Sequence, residues 1–197
     1  IYMGFNNLEE TPEYAQLKRM KSLAALDLGH NKLHKVHPFG KDINLVKLYL
    51  NNNKLTTIPA APDGYFSDFL DVEVMNFAFN QLTEVPDIFN AKSVYTIDNV
   101  DFSHNQIDKL QNGTAFRGIN ASTVDLSYNR FDTFPKTIFT AGSPISYLLI
   151  SGNNLKELPE GSLTGPKSHY LMSIDLSLNK LSQLPTDFYA TNVPYLY

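Results

Sequence analysis

The chain has 197 residues, 43% of them hydrophobic, no cysteine and a formal net charge of −4. That length and apolar share suffice for one continuous core, while the acidic balance and the lack of any basic run exclude nucleic acid as a partner. Without cysteine there is no disulfide framework, thiol nucleophile or thiolate metal site, and the sequence holds neither an apolar run near the ~20 residues of a membrane span nor a signal-peptide pattern at its start.

Taken from the N-terminus, the chain repeats itself. "IYMGFNNLEETP" sets Met3, Asn6, Leu8 and Pro12 at positions that recur in "LAALDLGHNKLHKV" around Asn31, "LVKLYLNNNKLTTIP" around Asn53 and "VEVMNFAFNQLTEVP" around Asn80. The pattern continues in "IDNVDFSHNQIDKL" around Asn105, "ASTVDLSYNRFDTFP" around Asn129, "ISYLLISGNNLKELP" around Asn153 and "LMSIDLSLNKLSQLP" around Asn179, and "NVPYLY" resembles the opening of a ninth copy. Successive asparagines stand 25, 22, 27, 25, 24, 24 and 26 residues apart. A period of about 20 to 50 residues is the mark of a repeat architecture and overrides local structural readings.

Within each copy, alternation such as Val124 and Leu126 inward against Thr123, Asp125 and Ser127 outward predicts a half-exposed strand. The repeat is too long for a hairpin, so equivalent strands must lie parallel, joined by crossovers on the far side of the core. One copy cannot bury its own apolar face; stacking does so. The turn that follows each strand carries buried peptide groups, each costing ~1 to 3 kcal/mol if left unpaired. Asparagine has both donor and acceptor, so Asn6, Asn31, Asn53, Asn80, Asn105, Asn129, Asn153 and Asn179 are expected to form an architectural ladder. Pro59, Pro86, Pro135, Pro159 and Pro185 are expected to end the strand-side half and preset an extended crossover.

The motif L-x-x-L-x-L-x-x-N-x-L, read here as Leu45, Leu48, Leu50, Asn53 and Leu55, resembles the leucine-rich repeat. Departures are local: Ala121 opens one repeat, and the proline is missing after Asn31 and Asn105. The resemblance implies an α/β right-handed solenoid with a parallel β-sheet on the concave face and short helical or irregular convex segments. A single domain over residues 1–197 is expected, with about eight repeats, the first and last incomplete, as part of a longer array. The resemblance further implies a non-enzymatic module that binds protein or peptide without a cofactor. The Asn-, Tyr- and Phe-rich repeats of uneven length, without cysteine caps or the extra glycine and Ile-Pro pair of plant repeats, look like bacterial cell-surface or secreted members. An extracellular or surface location is therefore expected. The sequons at Asn112 and Asn120 are no more than this composition yields by chance.

Function is then sought on outward positions. Four residues before each asparagine stand Tyr2, Asp27, Tyr49, Asn76, Asp101, Asp125, Leu149 and Asp175. Two before stand Gly4, Gly29, Asn51, Ala78, Ser103, Ser127, Ser151 and Ser177, and one before stand Phe5, His30, Asn52, Phe79, His104, Tyr128, Gly152 and Leu178. The small strip is expected either to leave room for a ligand anchored by the flanking aromatics or to be simply what a crowded parallel sheet tolerates. The candidate surface is Tyr49, Asn51, Asn76, Phe79, Asp101, His104, Asp125, Tyr128, Tyr147 and Asp175. A glycan is the alternative ligand, and a spacer without a ligand the bland one. Asp101, Ser103 and His104 lack a nucleophile turn or oxyanion loop, Asp101 with Asp125 supplies too few oxygens for calcium, and His30, His34 and His37 do not share a helix face, so neither catalysis nor a metal is expected.

Overall fold

Paired apolar residues flanking one outward residue decide the local structure. Leu26 and Leu28, Leu48 and Leu50, Met75 and Phe77, Val100 and Phe102, Val124 and Leu126, and Leu148 and Ile150 are all fully buried, because period-two spacing sends both members to one face of a strand. The computed structural model describes residues 1–40, 43–58, 71–89, 95–111, 115–116, 119–140, 144–163, 170–191 and 193–197. In chain order the elements are α1 (Tyr14–Leu17), β1 (Ala25–Asp27), β2 (Lys47–Tyr49), β3 (Asp71–Asn76), β4 (Glu84–Val85), β5 (Tyr95–Asp101) and β6 (Lys109–Leu110). There follow β7 (Ile119–Asp125), α2 (Thr137–Thr140), β8 (Ile145–Leu149), β9 (Ser173–Asp175), a 3-10 turn over Thr186–Ala190, and β10 (Tyr195–Leu196).

The eight-stranded sheet runs β1-β2-β3-β5-β7-β8-β9-β10, and every pairing is parallel. Asp27, Tyr49, Asn76, Asp101, Asp125, Leu149 and Asp175 stand opposite one another in succession, so the fourth position before each asparagine forms one row across the sheet. Tyr2 extends that row through a single bridge to Asp27. A second, two-stranded parallel sheet of β4 and β6 lies in the crossovers. Helix is scarce among the described residues, as expected of short convex segments. None of their helices is long and apolar enough to cross a membrane.

The core is continuous along the solenoid. Phe77 and Phe102 stack at 4.8 Å, and Phe116 meets the edge of Phe102 at 6.3 Å and stacks with Phe89 at 6.0 Å. Thus the strand side and crossover side share rings from consecutive repeats. At the departure from the motif, Ala121 is buried together with Ile119, whose larger side chain accompanies the small one in the same strand.

Asparagines close the strand ends. Asn129 Oδ1 accepts from Ile107 N at 3.0 Å, while its Nδ2 donates to Phe102 O of the preceding repeat and to Leu126 O and Ser127 O of its own at 3.0, 3.1 and 3.2 Å. The same four contacts recur at Asn31, Asn53, Asn80, Asn105, Asn153 and Asn179. Asn6 donates only to Met3 O and Gly4 O. Two amide protons serve three carbonyls, and the oxygen serves a neighbouring amide, which no apolar or acidic side chain could match. Pro86 follows β4 directly. Pro59 and the Asn112 sequon lie outside the described residues.

Candidate binding surface

The outward face is built from three rows that differ in what holds them. In the row four before the ladder, a carboxylate or amide oxygen accepts from the backbone N–H two residues on: Asp27 from Gly29, Asn76 from Ala78, Asp101 from Ser103, Asp125 from Ser127 and Asp175 from Ser177, at 2.8 to 2.9 Å. Tyr49 and Leu149, in the same row, offer no such oxygen. The amides on either side are taken by the next repeat, as with Leu126 N to Leu149 O and Tyr128 N to Ser151 O, and the amide between them is satisfied by the side chain two residues back. Asp125 therefore has a structural duty that its outward position does not reveal, and it is not freely dispensable.

Asp125 is half-buried. Burial pushes its pKa upward, the amide and hydroxyl of Ser127 pull it back, the Asp101 carboxylate raises it and His104 lowers it. The two acids face each other across β5 and β7, and neither belongs to an ion pair among the described residues.

The second row favours the crowded-sheet reading of the small strip. Ala78, Ser103, Ser127 and Ser151 are buried rather than open, and Ser151 Oγ donates to Ser127 Oγ at 3.2 Å. Gly29 explains the small side chains, since a Cβ there would stand 2.9 Å from Asn51 Oδ1. Lateral crowding in the parallel sheet, not room for a ligand, sets this strip. Asn51 is half-buried and donates to Asn52 Oδ1 at 2.9 Å.

The third row, one before the ladder, leaves the strand in the left-handed region. Phe5, His30, Asn52, Phe79, His104, Tyr128 and Leu178 have φ of 54° to 57°, and Gly152 has 64°. This conformation carries the side chains to the rim of the sheet, where they form a ridge. Phe79 stacks on His104 at 4.1 Å, His104 on Tyr128 at 4.5 Å, and Phe5 on His30 at 4.1 Å. Tyr128 in turn lies over Gly152, where a Cβ would come within 2.7 Å of its ring. Phe79 and Tyr128 remain 49% and 47% exposed, each with one ring face laid against His104.

Asn76, Phe79, Asp101, His104, Asp125 and Tyr128 thus come together on β3, β5 and β7 and their exits. Tyr49, half-buried on β2, lies on the N-terminal side, with exposed Tyr147 on β8 and half-buried Asp175 on β9 on the other. Sequence reasoning passed over Glu73, whose carboxylate meets Lys47 Nζ at 2.6 Å across β2 and β3; the two outward residues between the inward members of L-x-x-L were the available signal. Ser103, Asp101 and His104 form no relay: Asp101 accepts from the Ser103 amide, and both faces of the His104 ring are covered. Of the histidine group, His30 stacks on Phe5 and His37 Nε2 meets Glu10 Oε2 at 2.7 Å. No group of three potential metal ligands occurs among the described residues.

Asparagine ladder, parallel sheet and repeat spacing define a class of protein, and known proteins agree. The leucine-rich repeat family model matches residues 44–64. Lumican from Oryctolagus cuniculus is 30% identical over 171 residues, covering 85% of this chain and 82% of that protein, and this chain belongs to the leucine-rich repeat family. Rat lumican is 31% identical over 163 residues, but the chain spans only 46% of its length. Among solved structures, a leucine-rich repeat protein from Bacteroides thetaiotaomicron superimposes with a TM-score of 0.81 at 41% identity, covering 99% of this chain and 24% of that one. A second, from Bacteroides eggerthii, gives 0.81 at 38% identity, covering all of this chain and 35% of that one.

Proposed function

We propose that this chain is a non-enzymatic recognition module of a bacterial surface or secreted protein and binds a protein or peptide partner along its concave face. The observation that carries this is the exposed ridge Phe79–His104–Tyr128 at the rim of an uncovered sheet, since clustered exposed aromatics are the usual anchors of recognition surfaces. The bacterial assignment draws on the likeness to the two Bacteroides proteins. A sugar ring packs against an open aromatic face, and here His104 is stacked on both faces and Tyr128 lies between His104 and Gly152, so a peptide is favoured over a glycan.

Tyr49 and Tyr147 stand four strands apart, ~19 Å at ~4.8 Å per strand, a span that an extended peptide of about six residues bridges. Peptides selected from a displayed library on the wild-type protein are expected to lose at least tenfold in affinity for Tyr49→Ala/Tyr147→Ala, with the thermal midpoint near that of wild type. A glycan array run in parallel should stay blank. Peptides that bind the double variant undiminished, or a library that yields none, would remove the concave face as the site.

A further inference from the structure

The charge of the sheet differs from that of the chain. Overall there are 20 acidic and 16 basic residues, yet the strands of the eight-stranded sheet hold Asp27, Asp71, Glu73, Asp98, Asp101, Asp125 and Asp175 against the single cation Lys47. Lys47 is already spent on Glu73. The bias is therefore local to this face. Cations lie past the turn instead: the residue after the ladder asparagine is Lys32, Lys54, Arg130 or Lys180 in four repeats, but Gln81 and Gln106 in the two central ones. After β3 and β5 that position carries no charge.

We propose that the occupant of the concave face is an extended basic segment of a partner protein, its arginine or lysine side chains seated over Asp101 and Asp125 and its apolar side chains laid along the edges of Phe79, His104 and Tyr128. The proposal rests on the concave-face reading above and adds the chemistry of the partner. Three observations converge on it. Asp101 and Asp125 are opposed on neighbouring strands, ~4.8 Å apart, with no ion-pair partner among the described residues. The aromatic ridge is close enough for His104 to act electrostatically on Asp125, so acids and rings belong to one surface. The upward push on the Asp125 pKa by burial and by Asp101 is an electrostatic cost that a guanidinium or ammonium removes. Arginine suits both halves of the surface, since its fork of donors matches carboxylates and its aliphatic stem can lie along ring edges. A polyanion is repelled by the same carboxylates.

The fold supplies a clean probe. Asn76 makes the same cap to Ala78 N that Asp101 and Asp125 make to Ser103 N and Ser127 N, so Asp101→Asn/Asp125→Asn removes two charges and keeps the turns. The matched control is Asp108→Asn/Asp132→Asn, two exposed acids three residues past the ladder in the same two repeats. The probe is acetyl-(Gly-Arg)3-amide, with the glutamate counterpart beside it, followed by amide NMR titration at low salt. The arginine peptide is expected to shift amides between Asn76 and Tyr128, to bind the first variant at least tenfold more weakly, and to bind the control variant as it binds wild type. The glutamate peptide should cause no shifts. Equal loss in both variants means only net charge is sensed and overturns the proposal, as do shifts confined to β4 and β6, or no binding at all. If library peptides bind the concave face yet carry no basic residues and ignore Asp101→Asn/Asp125→Asn, the concave site stands and the basic partner falls.

Discussion

A single asparagine in each repeat decides whether the turn after the strand can be buried. At Asn129 one side chain meets three carbonyls and one amide from two successive repeats, and leaving such groups unpaired costs ~1 to 3 kcal/mol each. Asn129→Leu should therefore lower the unfolding free energy by ~2 to 4 kcal/mol in a urea titration, despite the added apolar surface. Asn6→Leu, which loses only two exposed contacts within its own repeat, should cost under ~1 kcal/mol. Equal losses at the two sites would sink the ladder as the source of the effect. The ladder was legible in the sequence because an amide side chain kept at one fixed place among apolar residues must meet buried backbone groups there. Asp101 and Asp125 were legible only as outward acids; that they cap the amides of Ser103 and Ser127 depends on which backbone protons the neighbouring repeat leaves unused, and residue type does not encode that.

The strand exit is the element where conformation and surface meet. A left-handed backbone costs a residue with a Cβ roughly 1 to 2 kcal/mol, and only Asn52 and Gly152 in that row have sequences that suggest it. Phe79, His104 and Tyr128 adopt it nonetheless and stack on one another, so the exposed ridge is a product of the turn as well as of the residues' identity. Gly152 holds the one place where a neighbouring ring occupies the space of a Cβ in this row. Gly152→Ala combines a left-handed alanine with a clash against Tyr128, and should destabilise by ~1 to 3 kcal/mol. In the Tyr128→Ala background the clash is gone and only the backbone cost remains. A double-mutant cycle from thermal or urea unfolding should show a coupling of at least ~0.5 kcal/mol. Additive losses would mean that the ring moves aside without cost. The buried serine strip was open to two readings in the sequence for a related reason: alternation places Ser103, Ser127 and Ser151 outward, but exposure depends on the side chains of the adjacent strands, which alternation within one strand does not report.

Across the whole molecule, each repeat pairs only with its neighbours, so stability should vary along the chain rather than be held in common. The pairings themselves are graded: six residues are in register between β5 and β7, five between β3 and β5, and two between β9 and β10. A set of equivalent amides samples this gradient at nearly constant bond geometry. Phe77 N, Phe102 N and Leu126 N bond to Asp101 O, Asp125 O and Leu149 O at 2.7 to 2.8 Å, while Met3 N bonds to Asp27 O at 2.8 Å and Leu176 N to Tyr197 O at 2.6 Å. If local bond geometry governed opening, all five would exchange with solvent at similar rates. If stacking governs it, Phe102, which has repeats packed on both sides, should exchange slowest, and Met3 and Leu176 at least a hundredfold faster, ~2.8 kcal/mol in opening free energy. Leu126→Ala then provides the decisive comparison. Removing that fully buried side chain should cost ~2 to 5 kcal/mol and speed exchange at Phe102 and Leu126 far more than at Met3, because the lost contacts belong to the central repeats. Uniform protection in the wild-type chain, together with a uniform loss in the variant, would mean that the solenoid opens as a single cooperative unit and that nearest-neighbour stacking does not set its stability.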